Sequence, residues 1–236
     1  MDEAFPAIGQ TTEGRSAGTE DIMMAKNFTD ILKQSSEPLW SDAVNHRFVT
    51  ELGNGSLPDA VMGAYLVQDH RFLDSFLMLL GAAIATADTF TARIRFSQFA
   101  GMISGEENTY FLRAFDALGI PPEQRETVPD TPPTDGFKKL MQEAAGTRSY
   151  AAALAVLNVA EWLYLEWAKT IPRPLSENFV HAEWVTLHDN PDFSSFVAFL
   201  RAELDRIGPA EEAISRDFFQ RAVELEVAFF DAAFSI

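Results

Sequence analysis

An all-α fold, one helical bundle in a single domain, is what the sequence predicts on three observations. No stretch of useful length alternates apolar and polar residues as a half-buried strand would. Apolar residues recur instead at spacings of three and four, between helix start and stop signals. Residues 150–169, YAAALAVLNVAEWLYLEWAK, are apolar almost throughout, follow Gly146 and are closed by Pro172 and Pro174, so this run is a buried helix. The chain has 236 residues, of which 47% are hydrophobic and 20 are Phe, enough for a substantial core. No linker rich in Pro, Gly and Ser divides its middle, and no internal repeat is visible.

Residues 1–25, with QTTEGRSAGTED at their heart, have no apolar period and read as a mobile tail, which leaves 26–236 as the helical domain. Beyond Asn27, the residues Phe28, Ile31, Leu32, Leu39, Trp40 and Val44 fall at near-helical intervals, with Pro38 as a break. A long helix then opens where Ser56 suits the N-cap, Pro58 the first turn and Asp59 the positive end of the helix dipole. The next helix starts near Thr89, carries Phe96, Phe99, Met102 and Ile103, and stops at Gly119. On it, Glu106, Glu107, Asn108 and Tyr110 read mostly as a solvated face, Glu107 being the one that could reach inward. Five prolines between Pro121 and Pro133 make the following stretch a loop of about fifteen residues, longer than ordinary connections and so either a surface excursion or a site rim. Helices are expected again over 136–145, 150–169, 178–187, 192–207 and 209–233.

Composition narrows the function. Lys+Arg 18 against Asp+Glu 35 gives a formal net charge of -17, which repels phosphate backbones and argues against nucleic acid as a partner. Without Cys there is no disulfide scaffold, no thiolate zinc site and no cysteine nucleophile; a cytoplasmic location fits that composition. The apolar run 76–87 is far shorter than the roughly 20 residues of a membrane span, and the acidic start of the chain has no signal-peptide core. No membrane partner is expected.

Three acids stand where core residues belong. Asp69 has Tyr65, Leu66, Phe72 and Leu73 as its helical neighbours. Glu161 has Leu157, Asn158, Tyr164 and Leu165, and Glu226 has Ala222, Val223, Phe229 and Phe230. By the same test Glu166, beside Lys169, is a boundary residue and Glu224 points outward. One inward acid is ordinarily satisfied by an Arg, a Tyr or a backbone donor. Three of them, with 18 basic residues in the whole chain, suggest a polar pocket whose carboxyl groups have raised pKa values and can act as general acids or bases. The Trp162, Trp167, Phe218 and Phe219 rings read as core, with a planar ligand the alternative for one of them.

Several motifs resemble the TenA family, also called thiaminase II. They are His46-Arg47-Phe48-Val49, Gly55-Ser56-Leu57-Pro58 and Tyr65-Leu66-Val67-Gln68-Asp69-His70-Arg71-Phe72-Leu73. Further along come Trp162-Leu163-Tyr164-x-Glu166, Trp184 followed by Pro191-x-Phe193, and Glu226 followed by Phe229-Phe230, so that the likeness spans residues 28–234. The resemblance implies an all-α fold similar to haem oxygenase, a homo-oligomer (dimer or tetramer), and hydrolysis of a carbon–nitrogen bond beside an aminopyrimidine. It implies that Asp69 holds the pyrimidine's amino group and ring nitrogen, that Glu226 is the acid or base at the scissile bond, and that Tyr164 is a pocket tyrosine. Ala160 stands where the main branch of the family keeps a nucleophilic Cys, and Phe72, Phe137 and His188 stand where it keeps tyrosines.

The chain is thus similar to the Cys-less branch, and a hydrolase of the thiamine-salvage type is expected, acting on an aminomethyl- or formylamino-pyrimidine without a covalent intermediate. Glu226 is expected as the acid/base, Glu161 as a supporting carboxylate and Asp69 as the group that orients the small-molecule substrate. Two alternatives remain at this point. One is an aminopyrimidine-binding or regulatory relative that has lost catalysis. The other is a metal-dependent oxidase of the same fold, for which His181 and His188 would be candidate ligands; with four His in the chain, and His46 and His70 taken up by the motifs above, neither a metal nor another cofactor is expected.

Overall fold

The apolar run 150–169 folds as one long helix around which much of the chain is laid. The computed structural model describes residues 27–235, so the expected tail at 1–25 lies outside the described residues. In chain order, α1 (Phe28–Ser35) and α2 (Leu39–Val44) are separated at Pro38, the predicted break. Helix α3 (Arg47–Gly53) starts at His46, whose Nδ1 accepts the Phe48 N–H at 3.1 Å. Helix α4 (Asp59–Thr86) begins later than its predicted cap: Pro58 holds the cap position, and the Ser56 N–H donates to Asn54 Oδ1 at 2.9 Å instead. The proline ring already fixes the entry of the chain, so no side-chain cap is required there.

Helix α5 (Phe90–Met102) starts near Thr89, as predicted, and Thr89 caps it, the Ala92 N–H donating to Thr89 Oγ1 at 3.1 Å. A single π-turn (Ile103–Glu107) joins it to α6 (Asn108–Ala117), where the periodicity had suggested one continuous α-helix. Gly119 adopts φ 68°, the left-handed conformation that ends helices, and supplies the expected stop. The long proline loop is corrected. Pro122 begins a short helix, α7 (Pro122–Thr127), and Pro132 begins α8 (Pro132–Thr147), four residues before its predicted start. At the first helical position a proline loses no hydrogen bond, so the ring that would break a helix interior can open one.

Helix α9 (Tyr150–Thr170) is capped by Ser149, whose Oγ accepts the Ala152 N–H at 3.1 Å. Every residue from Tyr150 to Leu165 is buried. Helices α10 (Phe179–His188) and α11 (Pro191–Ile207) follow, capped by Asn178 and Asn190. A 3₁₀ turn (Gly208–Glu211) leads into α12 (Glu212–Ala232). No strand occurs among the described residues.

Helix α9 packs against α12, α11, α4, α8, α10 and α2, which is why it has no solvated face over most of its length. Asn158 ties it to α11 from the interior, donating from Nδ2 to the Leu154 oxygen at 2.9 Å and the Leu200 oxygen at 3.1 Å. Trp162 and Phe219 both pack on Trp40, with ring centroids 4.8 and 5.7 Å from it. These aromatics are core, as expected. Glu166 is a boundary residue, also as expected, and holds Lys33 at 2.5 Å. Glu224 points out and accepts from Gln220.

The Tyr-x-x-Gln-Asp motif on α4 splits its work among three directions. Tyr65 reaches α9, where its hydroxyl meets that of Tyr164 at 2.8 Å. Gln68 fastens the α7–α8 connection: its Nε2 donates to the Pro129 oxygen at 3.0 Å, and its Oε1 accepts from the Thr131 N–H at 3.0 Å and Thr134 Oγ1 at 2.7 Å. Arg71 adds a bond to Asp130 at 3.0 Å. The connection is therefore pinned to α4, and it is α8 behind it that turns Phe137 inward. Asp69 takes the third direction, into a cavity.

Candidate active site

The cavity lies between α4, α5, the π-turn, α8, α9, α10, α11 and α12, and leaves about 70 Å³ of open space, room for several water molecules. All eight residues singled out from the sequence line it: Asp69 and Phe72 from α4, Phe137 from α8, Ala160, Glu161 and Tyr164 from α9, His188 from α10 and Glu226 from α12. Helical spacing explains the α9 set, since Ala160, Glu161 and Tyr164 fall within one turn of one another. Phe72 and Phe137 meet edge to face at 5.3 Å and form an apolar wall.

The acids are the chemical content of the site. Asp69 and Glu161 are 7% exposed and Glu226 2% exposed. Among the described residues none of their carboxyl groups accepts a hydrogen bond, and no Lys or Arg lines the cavity. The ordinary explanation of an inward acid, a protein donor that satisfies it, therefore does not apply here. Burial raises all three pKa values well above the usual carboxylate range. Like charges add to this, from Glu107 for Asp69, from Glu107, Glu226 and Asp69 for Glu161, and from Asp69 for Glu226. A carboxyl kept protonated in this way can donate from one oxygen and accept at the other.

His188 is held neutral. Burial lowers its pKa to about 4, and its Nδ1 lies 2.8 Å from the Trp184 carbonyl oxygen. A carbonyl only accepts, so Nδ1 carries the proton and Nε2 is left as an acceptor. Burial likewise raises the pKa of Tyr65 and of Tyr164, which keeps both hydroxyls protonated. Trp184, from the motif that precedes Pro191-x-Phe193, is the Trp that lines the cavity; Trp162 and Trp167 do not. His181 does not line it either, and among the described residues no three His, Asp or Glu side chains converge as metal ligands would.

The reading of Glu106, Glu107, Asn108 and Tyr110 as a solvated face is corrected. Glu107 lines the cavity, half-buried, and loss of water around its carboxyl raises its pKa to about 7. Tyr110 is fully buried, its hydroxyl donating to the Val180 oxygen at 2.7 Å, and Asn108 lies 3.1 Å from His70 Nε2. The signal was present in the neighbours of Glu107. Ile103, Tyr110 and Phe111 stand four before, three after and four after it, the same apolar surround that marks the other three acids. Glu106 stays exposed, at the mouth of the cavity.

A bundle of helices closed around a carboxylate-lined aromatic cavity defines a protein of the haem-oxygenase-like fold. The model of the TENA/THI-4/PQQC family matches residues 33–235, and the chain belongs to that family. An aminopyrimidine aminohydrolase of Halalkalibacterium halodurans is 24% identical over 216 residues, 89% of this chain and 96% of that relative. Among solved structures, a TenA homologue from P. horikoshii OT3 superposes with a TM-score of 0.79 at 21% identity, over 89% of this chain and 99% of the other. A domain of unknown function with a haem-oxygenase-like fold from Shewanella denitrificans OS217 superposes with a TM-score of 0.65 at 14% identity, over 88% of this chain and 92% of the other. Among the described residues no helix is long and apolar enough to cross a membrane.

Proposed function

We propose that the protein hydrolyses the exocyclic carbon–nitrogen bond of an aminopyrimidine, with water rather than a thiol as the nucleophile. The observation that carries this reading is the trio Asp69, Glu161 and Glu226, buried without a protein donor in an aromatic cavity. A 4-aminopyrimidine edge offers an N–H donor beside a ring-nitrogen acceptor, and a protonated Asp69 carboxyl offers the complementary pair. The Phe72 and Phe137 wall suits a flat ring. The name of the Halalkalibacterium relative supports the substrate class.

In this reading Glu226 gives its proton to the departing nitrogen while a second carboxylate takes one from the attacking water. The carbon–oxygen bond forms as the carbon–nitrogen bond breaks. An aminomethyl substrate then yields the hydroxymethylpyrimidine and ammonia, and a formylamino substrate yields the same alcohol and formamide. Glu161, whose own pKa the neighbouring Glu107, Glu226 and Asp69 raise further, is the supporting carboxylate, and Ala160, with no nucleophilic atom, leaves that flank to water. A cytoplasmic homo-oligomer completes the reading; exposed Leu77, Met78, Phe90 and Ile94 on α4 and α5 are apolar surface that a second copy would cover.

The test is direct. Purified protein is incubated with the aminomethyl- and the formylamino-pyrimidine, and hydroxymethylpyrimidine release is followed by chromatography. Release from either substrate is the expected result. Tight binding of both without release would sink the hydrolase and leave an aminopyrimidine-binding protein.

A further inference from the structure

Resting on the hydrolase reading, the structure also supplies the carboxylate that receives the water's proton. We propose that Glu107, carried into the cavity on the π-turn between α5 and α6, is the general base of the reaction and the group through which the closed site returns that proton to solvent.

Three observations support it. Asp69, Glu161 and Glu226 are nine-tenths or more buried, whereas Glu107 is half-buried and lies beside exposed Glu106 at the mouth. Glu107 is therefore the least buried of these four acids and stands next to exposed Glu106. Second, no hydrogen bond holds it among the described residues, so its carboxylate is free to take a water. Third, a base must be ionised. The titratable groups that line the cavity with it are Glu106 beside it, Asp69 of α4, Glu161 and Tyr164 of α9, neutral His188 of α10 and Glu226 of α12. Burial drives Asp69, Glu161 and Glu226 well above the carboxylate range, while Glu107 reaches about 7 and is about half ionised near neutrality. Glu107 raises the pKa of Asp69 and of Glu161, so its charge is felt at both. A π-turn is a rare widening of a helix, common where helices carry functional groups.

The step balances. Water gives its oxygen to the exocyclic carbon and a proton to Glu107; Glu226 gives a proton to the nitrogen, which leaves with the bonding pair. Glu107 then releases its proton to solvent and Glu226 regains one, so the net change is one water consumed.

The experiment measures kcat/KM against pH for wild type, Glu107→Gln and Glu107→Asp, with the Kd of the hydroxymethyl product as a check on the pocket. In the wild type kcat/KM is expected to rise with pH through about 7. Glu107→Gln is expected to lose about 10²- to 10⁴-fold and to lose that rising limb, with product Kd changed less than about threefold. Glu107→Asp, which keeps a carboxylate, is expected to recover part of the rate and the limb. An active wild type with an unchanged profile in Glu107→Gln overturns the assignment of Glu107 and leaves the hydrolase standing. A wild type inactive on both substrates overturns the two together.

Discussion

In Glu226→Gln, hydroxymethylpyrimidine release is expected to fall by about 10²- to 10⁴-fold, the usual worth of a positioned acid or base. The amide has nearly the shape of the carboxyl but cannot deliver a proton to the leaving nitrogen. Glu226 is 2% exposed on α12 and accepts no protein hydrogen bond among the described residues, so its removal breaks no structural tie. The thermal midpoint at pH 8 should accordingly not fall. That combination separates chemistry from folding: a variant that turned over at the wild-type rate would remove Glu226 from the mechanism, and one that lost activity only because it unfolded would be betrayed by its melting curve. Product affinity is expected to change little, because in the proposed reading the ring is held by Asp69 and the Phe72–Phe137 wall.

The second large effect is on stability against pH. For an acid whose pKa is raised by folding, the folded chain keeps a proton that the unfolded chain has already released, so stability declines as pH rises from the ordinary carboxylate range through the raised value. Asp69, Glu107, Glu161 and Glu226 all have this sign. For Glu107 the move from 4.5 to about 7 corresponds to about 3 kcal/mol at most, lost between those two pH values. Asp88 and Glu143, bonded to Arg206 and Arg221, carry lowered pKa values and act in the opposite sense in a more acidic window. Buried His188 and His181, whose pKa values are lowered, also act in the opposite sense, His188 between about 4 and 6.5, where the four acids outnumber them. The protein should therefore be most stable near pH 5 and lose stability toward pH 8, with a shallower decline in Glu107→Gln. Denaturation midpoints at four or five pH values measure it. A wild-type curve flat from pH 5 to 8 would mean that water reaches these acids freely.

The fold and most of the cavity were legible because both rest on local rules. Thr89 at a helix start, Gly119 at a helix stop, and acids with apolar neighbours at three and four residues all act within one or two helical turns. What escaped had other causes. The prolines at 122 and 132 carry opposite meanings inside a helix and at its first residue, and composition does not distinguish the two. The π-turn adds no visible break to a 3.6-residue period. Glu107 is the residue of its group that could reach inward, yet it reads mostly as solvated because its chain neighbours Glu106 and Asn108 are polar, although Ile103, Tyr110 and Phe111 flank it on the helix. The ties of Gln68 to Thr131 and Thr134, and of Tyr65 to Tyr164, join segments more than 60 residues apart, a distance over which no local pattern speaks.

With Glu106 and Glu107 at its mouth and no Lys or Arg lining it, in a chain of formal net charge -17, the cavity is also the end of an electrostatic funnel. It treats the two candidate substrates differently before either is bound. An aminomethyl group, an ammonium in bulk water, is drawn by the field to the mouth and gives up a proton to solvent there, so that Glu226 meets the neutral amine, while a formylamino group is neutral throughout and arrives by diffusion alone. Ionic strength, which shortens the reach of that field to about 8 Å at physiological salt, thus acts on the encounter with one substrate and passes over the other.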